Sequence, residues 1–174
     1  MIGTRKARAI IGLTAACVAF SFGQVAPAVA AAGGTGHTVT MTTLQHGTWT
    51  EPGDTDFCTN ETVTPTITGN EVFHVTYFPG GDEVWGTFTE TGTATFVQPR
   101  RGLTFSGRVT VWGNFNVNNK NSNSTFTATF NLTAVDILGV THYEVGHQLA
   151  HIAYNAADPT TPIVSFEKMT MTCS

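Results

Sequence analysis

The residues best suited to chemistry are gathered in one stretch, His142-Tyr143-Glu144-Val145-Gly146-His147-Gln148-Leu149-Ala150-His151. On a helix, His147 and His151 would share a face and could bind zinc in the manner of His-Glu-x-x-His. Here Gln148 stands where that motif needs its general-base glutamate, and Gly146 disfavours a helix. The zinc-protease reading therefore fails, and no metal is expected. On a strand the two histidines again share a face, but four residues at about 3.3 Å each set them roughly 13 Å apart. Each then faces its own neighbours, alongside Tyr143, Val145 and Leu149. Two readings stand: histidines hydrogen-bonded into the fold, or histidines that polarise a bound ligand.

His74 lies inside another strand pattern, between Val72 and Thr76. Trp85 and Trp112, each flanked by threonines or small residues, would either line a pocket or pack beneath a loop. These give six candidate ligand-binding residues: His74, Trp85, Trp112, Tyr143, His147 and His151. Glu90, Glu144 and Glu167 fall within strand patterns, but the sequence brings no two carboxylates together, so a two-carboxylate glycosidase has no support. Catalytic residues are not identified. No Gly-x-Ser-x-Gly elbow, phosphate loop or dinucleotide fingerprint occurs, and no cofactor is expected.

The elements that must position these residues are strands. Leu103, Phe105, Val109, Val111, Phe115 and Val117 occupy one phase of a two-residue alternation, with polar residues between them. Phe126, Ala128, Phe130, Leu132 and Ala134 do the same between threonines and asparagine. A period of two puts each set on one face of a pleated strand, with the polar segment 118–124 as the loop between. Such a ribbon is not stable alone, and the rest of the chain must cover its apolar face. Shorter alternating runs occur from His37, from Val63, over Val72–Phe78 and Val84–Gln98, from Val140 to Asn155 and from Ile163 to Cys173. Gly69-Asn70, Pro79-Gly80-Gly81-Asp82 and Pro99-Arg100-Arg101-Gly102 read as turns. Pro65 marks an edge or irregular strand. No amphipathic helix is expected. The fold predicted is all-β: an antiparallel up-and-down barrel of about eight strands, with glycines at its bends, or else a two-sheet sandwich.

Residues 1–32 read as a secretory signal peptide: Arg5, Lys6 and Arg8, then an apolar run, then Ala28-Val29-Ala30. That run is too short for a membrane span. Residues 33–174 then form a single all-β domain of about 142 residues, suited to one core. It carries all twelve acidic residues against five basic ones, which excludes nucleic acid and anionic membrane as natural partners. The chain is expected to be secreted, free of the membrane after cleavage. In an oxidising compartment its two cysteines, Cys58 and Cys173, are expected to form a disulfide.

Several of these segments carry a resemblance. Asn70-Glu71-Val72-Phe73-His74, Phe105-Ser106-Gly107-Arg108, Trp112-Gly113-Asn114-Phe115-Asn116, His147-Gln148-Leu149-Ala150-His151 and the closing Phe166-Glu167-Lys168 with Cys173 resemble a group of small secreted actinobacterial proteins without assigned function. The group often has Glu where Gln148 stands. In outline such barrels are similar to lipocalins and to the allene oxide cyclase barrel. Three functions follow as expectations. The first is binding of a small apolar molecule in the interior. The second is an extracellular interaction or structural module without a pocket. The third is a histidine-dependent enzyme acting on a small molecule.

Overall fold

The computed structural model describes residues 36–155 and 157–174; the leader read at 1–32 lies outside them. Every regular element among the described residues is a strand: β1 (Val39–Thr50), β2 (Asp54–Asp56), β3 (Glu61–Val63), β4 (Thr66–Tyr77), β5 (Glu83–Val97), β6 (Thr104–Asn118), β7 (Asn121–Val135), β8 (Thr141–Asn155) and β9 (Asp158–Cys173). Seven of them form one antiparallel sheet in the order β1-β4-β5-β6-β7-β8-β9, and β2 and β3 form a separate hairpin. The sheet is a meander whose first connection carries that hairpin. Among the described residues β1 and β9 each keep one edge outside the ladder.

The alternation read from the sequence is the alternation of burial. Phe105, Val109, Val111 and Phe115 of β6 and Phe126, Ala128, Phe130, Leu132 and Ala134 of β7 are buried, and their polar neighbours face out. Ile67, Phe73, Val75 and Tyr77 of β4, with Phe88, Ala94 and Phe96 of β5, complete the core. The sheet is strongly curled. Ile67 of β4 and Met171 of β9 stand five ladder steps apart, about 24 Å on a flat sheet, yet both border one small cavity.

Two glycines show how the interior is filled. Gly86 of β5 pairs with Phe115 of β6, and Gly146 of β8 with Phe130 of β7. A Cβ at either glycine would collide with its partner's ring, so each ring occupies the space its neighbour lacks.

Three local readings change. Gly69-Asn70 is not a turn: both lie inside β4, where Gly69 pairs with Gly92 and the two backbones approach too closely for a Cβ. The polar segment 118–124 is mostly strand, with Asn116 opposite Asn123 and Val117 opposite Ser122, leaving only Asn119-Lys120 between β6 and β7. Pro65, without an amide donor, separates β3 from β4, and its carbonyl accepts from the Glu51 amide at 2.9 Å.

Cys58 and Cys173 are disulfide-bonded, with Cα atoms 5.8 Å apart. The bond joins the β2–β3 hairpin to the end of the last strand.

Candidate functional site

The six residues singled out from the sequence lie on the outward side of the sheet. His74 is exposed and its Nδ1 pairs with Thr42 Oγ1 at 2.8 Å. Trp85 is 51% exposed, donates from Nε1 to Glu83 Oε1 at 2.8 Å and packs edge-on against Phe78. Trp112, Tyr143, His147 and His151 occupy one outer face spanning β6 and β8. His151 Nδ1 pairs with Thr125 Oγ1 at 2.6 Å. His147 and His151 thus do not converge with His74, which sits on β4 at the other side of the meander.

The interior holds polar groups that the sequence reading did not assemble. One rung of the ladder runs Gln45–Glu71–Glu90–Val111–Ala128–Gln148–Met169, from β1 through to β9. Every one of these side chains sits in the inward phase of its strand. Glu90 and Gln148 are buried; Gln45 and Glu71 are half-buried. Gln148 Nε2 donates to Glu167 Oε1 at 2.6 Å. The rung is therefore apolar at its centre, at Val111 and Ala128, with an amide and two carboxylates on the β1–β4–β5 arm and the Gln148 amide on the other, next to Glu167 of the neighbouring rung. Gln148 Oε1 and, further along β1, Trp49 Nε1 are buried without a hydrogen-bond partner among the described residues.

The exposure along the outer strands shows where this interior opens. The inward residues of β1, including Met41, Gln45 and Trp49, are half-buried throughout, as are Glu167, Met169 and Met171 of β9. Met41, Trp49 and Met171 pack on the core from this side. The inward faces of the two edge strands thus carry Met41, Trp49, Met169 and Met171, with the Gln45 amide and the Glu167 carboxylate among them.

A second polar group lies at the disulfide end. Gln98, just after β5, donates from Nε2 to Asp56 Oδ2 at 2.7 Å and to Glu144 Oε1 at 2.8 Å. Asp56 also accepts from the Cys58 amide and the Thr59 hydroxyl, which shapes the turn that presents Cys58. Asp54, two residues earlier on the same face of β2, is buried too. Burial pushes the Glu144 carboxyl up to about 7, with the Asp56 charge acting in the same direction. Burial likewise pushes Asp54 up to about 6 against the Thr55 amide that favours its charge. Glu144 separates two spaces: a cavity of about 40 Å³ bordered by Asp54, Asp56 and apolar core residues, and a cleft of about 130 Å³ bordered by Gln98, Arg101, Tyr143 and the disulfide.

The carboxyls of Asp56 and Glu144 lie with Cys58 Sγ within 4.8 Å of one another. Because that sulfur is disulfide-bonded, it is not a thiolate ligand, and soft-metal chemistry of the zinc type does not fit.

Compared with protein-family models, curated proteins and solved structures, the chain matches none.

Proposed function

We propose that this is an exported β-barrel protein that binds a small, largely apolar molecule in its interior, anchored by a hydrogen-bond-donating or cationic group. The observation that carries this reading is the rung Gln45–Glu71–Glu90 and Gln148, with Glu167, set inside an otherwise apolar interior. Burying carboxylates among apolar side chains costs several kcal/mol unless a partner repays it. A fold stabilised only by packing has no use for them in this phase. A ligand that brings hydrogen-bond donors or a positive charge fits beside these carboxylates and amides.

Closure of the sheet into a barrel belongs to the same reading. The disulfide holds the segment after β1 to the end of β9, and the half-buried inward residues of both strands face the same core. On this view the protein is one of the small actinobacterial proteins it resembles, with the outline of a lipocalin or allene oxide cyclase barrel. The oxidising compartment that its disulfide requires agrees with export.

A matched pair of amphiphiles tests the ligand chemistry. The full chain is titrated with dodecylamine and with dodecanoate, followed by Trp49 fluorescence and calorimetry. The amine is expected to bind saturably at one site and the carboxylate not to bind. Equal binding of the two, or binding of neither, overturns the reading.

One observation favours a second reading, an interaction module working through its surface. The outer face of β6–β9 exposes Trp112, Tyr143, Val145 and Phe166, and among the described residues the outward positions of β6, β7 and β8 hold no carboxylate, although the chain has twelve acidic residues. Exposed apolar patches mark interaction sites. Loss of partner capture on Trp112→Ala, with amine binding absent, would favour this reading.

A further inference from the structure

A molecule bound on the polar rung has to cross the wall around it, and the strand pairing shows where that wall is incomplete. Each neighbouring pair from β1 through β4 to β9 is laddered along its length. Passage between two such strands breaks their hydrogen bonds. β1 and β9 are the exception. Each strand runs opposite to the next, so the first and last of the seven point the same way, and among the described residues no ladder joins them. The disulfide ties the segment after β1 to the end of β9, so the two edges are held together only toward Thr50 and Cys173. Near its start β9 carries Pro159 and Pro162, and its register against β8 shifts there. Such breaks keep an edge from taking up a further strand.

Neither end of the curled sheet offers another way in. At the disulfide end the β2–β3 hairpin covers the core: Asp54 and Val63 are buried and border the same small cavity as Ile67. Toward the other end, the next two inward rungs are filled by Phe73, Phe88 and Phe126, then by Val75, Phe115 and Ile152, all buried. The inward faces of the edge strands differ. The described residues include three methionines, Met41, Met169 and Met171, and all three lie there, half-buried. Methionine is unbranched and adapts its shape to a guest. Between Gln45 and Trp49 the inward position is Gly47, and a Cβ there would meet nothing within 4 Å. The wall thus has open space beside the rung.

We propose that the open side between β1 and β9 is the entrance through which a largely apolar ligand reaches the polar rung, with the disulfide as its fixed end. This rests on the reading of an interior ligand given above. The apolar body of the ligand passes the methionine thioethers and the gap at Gly47. Gln45 on one edge and Glu167 on the other are the first inward polar groups that its donor meets beside the rung.

Two measurements on the full, disulfide-bonded chain test this. The first is amide hydrogen exchange followed residue by residue by NMR, which needs no ligand. On β1 and β9 alternate amides point away from β4 and β8. These are expected to exchange about tenfold faster or more than the amides bonded into the ladders. Equal protection means that the edges are hydrogen-bonded to each other or to a second copy, and overturns the proposal. The second is the stopped-flow rate of dodecylamine binding, read by tryptophan fluorescence. Thr42→Cys and Lys168→Cys, outward on β1 and β9, are joined by a bismaleimide linker. Thr110→Cys and Thr129→Cys, opposite each other on β6 and β7, are joined as the control. The link across the edges is expected to slow association and release together by about tenfold or more with Kd unchanged, and the control link to change neither. If no linker bridges the edge pair, Gly47→Leu fills the gap and should slow association in the same way. Unchanged rates, or equal slowing by both links, overturn the entrance and leave interior binding standing. Absence of dodecylamine binding to the unmodified chain overturns the interior-ligand reading, and the entrance with it.

Discussion

Glu90 stands directly across the β4–β5 ladder from Glu71, and both side chains point into the interior. Glu71→Gln removes one of the two carboxyl groups while keeping size and shape. The variant is expected to stay folded and to lose affinity for dodecylamine. Urea denaturation and titration on the same preparation check both effects.

The pairing of glycine with phenylalanine across the ladder makes a packing prediction. Gly86→Ala drives a methyl into the Phe115 ring, and overpacking of this kind costs about 1–3 kcal/mol. Phe115→Ala leaves the opposite defect, a void, at about 3–5 kcal/mol. If the two are complementary, the double variant should cost less than their sum. Equilibrium unfolding of the three variants measures this.

The disulfide closes a loop with a sequence separation of 115. In the chain-entropy account a loop of that size contributes about 4–5 kcal/mol. The Cys58→Ser, Cys173→Ser double variant is expected to lose stability of that order. Denaturant midpoints with and without the bond give the number.

Stability should depend on pH in a particular sense. Glu144 ionises near 4.5 when unfolded and near 7 when folded, and Asp54 near 3.8 and near 6. The folded chain therefore binds more protons across that window, and its stability falls as pH rises through it. The contribution is whole below the unfolded values and lost above the folded ones. Asp136 works in the opposite direction at lower pH, because the Val140 amide holds its carboxyl below the usual range. Tm is expected to decline from about pH 4.5 to about 7, and Glu144→Gln should flatten the decline.

Surface placement of the histidines also has a consequence. His147→Ala should change stability by no more than about 0.5 kcal/mol, as for other surface positions. His151→Ala removes the bond to Thr125 and should cost about 0.5–1.5 kcal/mol. Neither should alter dodecylamine binding.

The strands were legible because their apolar phase is regular: Phe105 to Phe115 and Phe126 to Ala134 read directly as the buried faces of β6 and β7. The Cys58–Cys173 bond was legible from composition alone. Gly69-Asn70 misled, since a turn-forming pair also suits a close approach of two backbones. The interior polar residues were present as a signal of another kind. Glu71, Glu90 and Gln148 occupy the phase that their strands otherwise give to apolar residues, and a carboxylate there is the mark of a buried polar site. What strand periodicity lacks is the pairing register, which alone puts Glu71 opposite Glu90 and Gln45 beside them. The Gln98–Asp56–Glu144 contacts depend on the curl of the whole sheet, joining residues from three separate segments.

The central claim is that the polar rung holds a ligand, and native mass spectrometry of the protein exported by its own host tests it most directly. The account predicts a mass two hydrogens below the reduced chain plus a bound small molecule. That molecule should be displaced by dodecylamine, lost in Glu71→Gln and retained in His147→Ala. A bare polypeptide mass that dodecylamine leaves unchanged would contradict it.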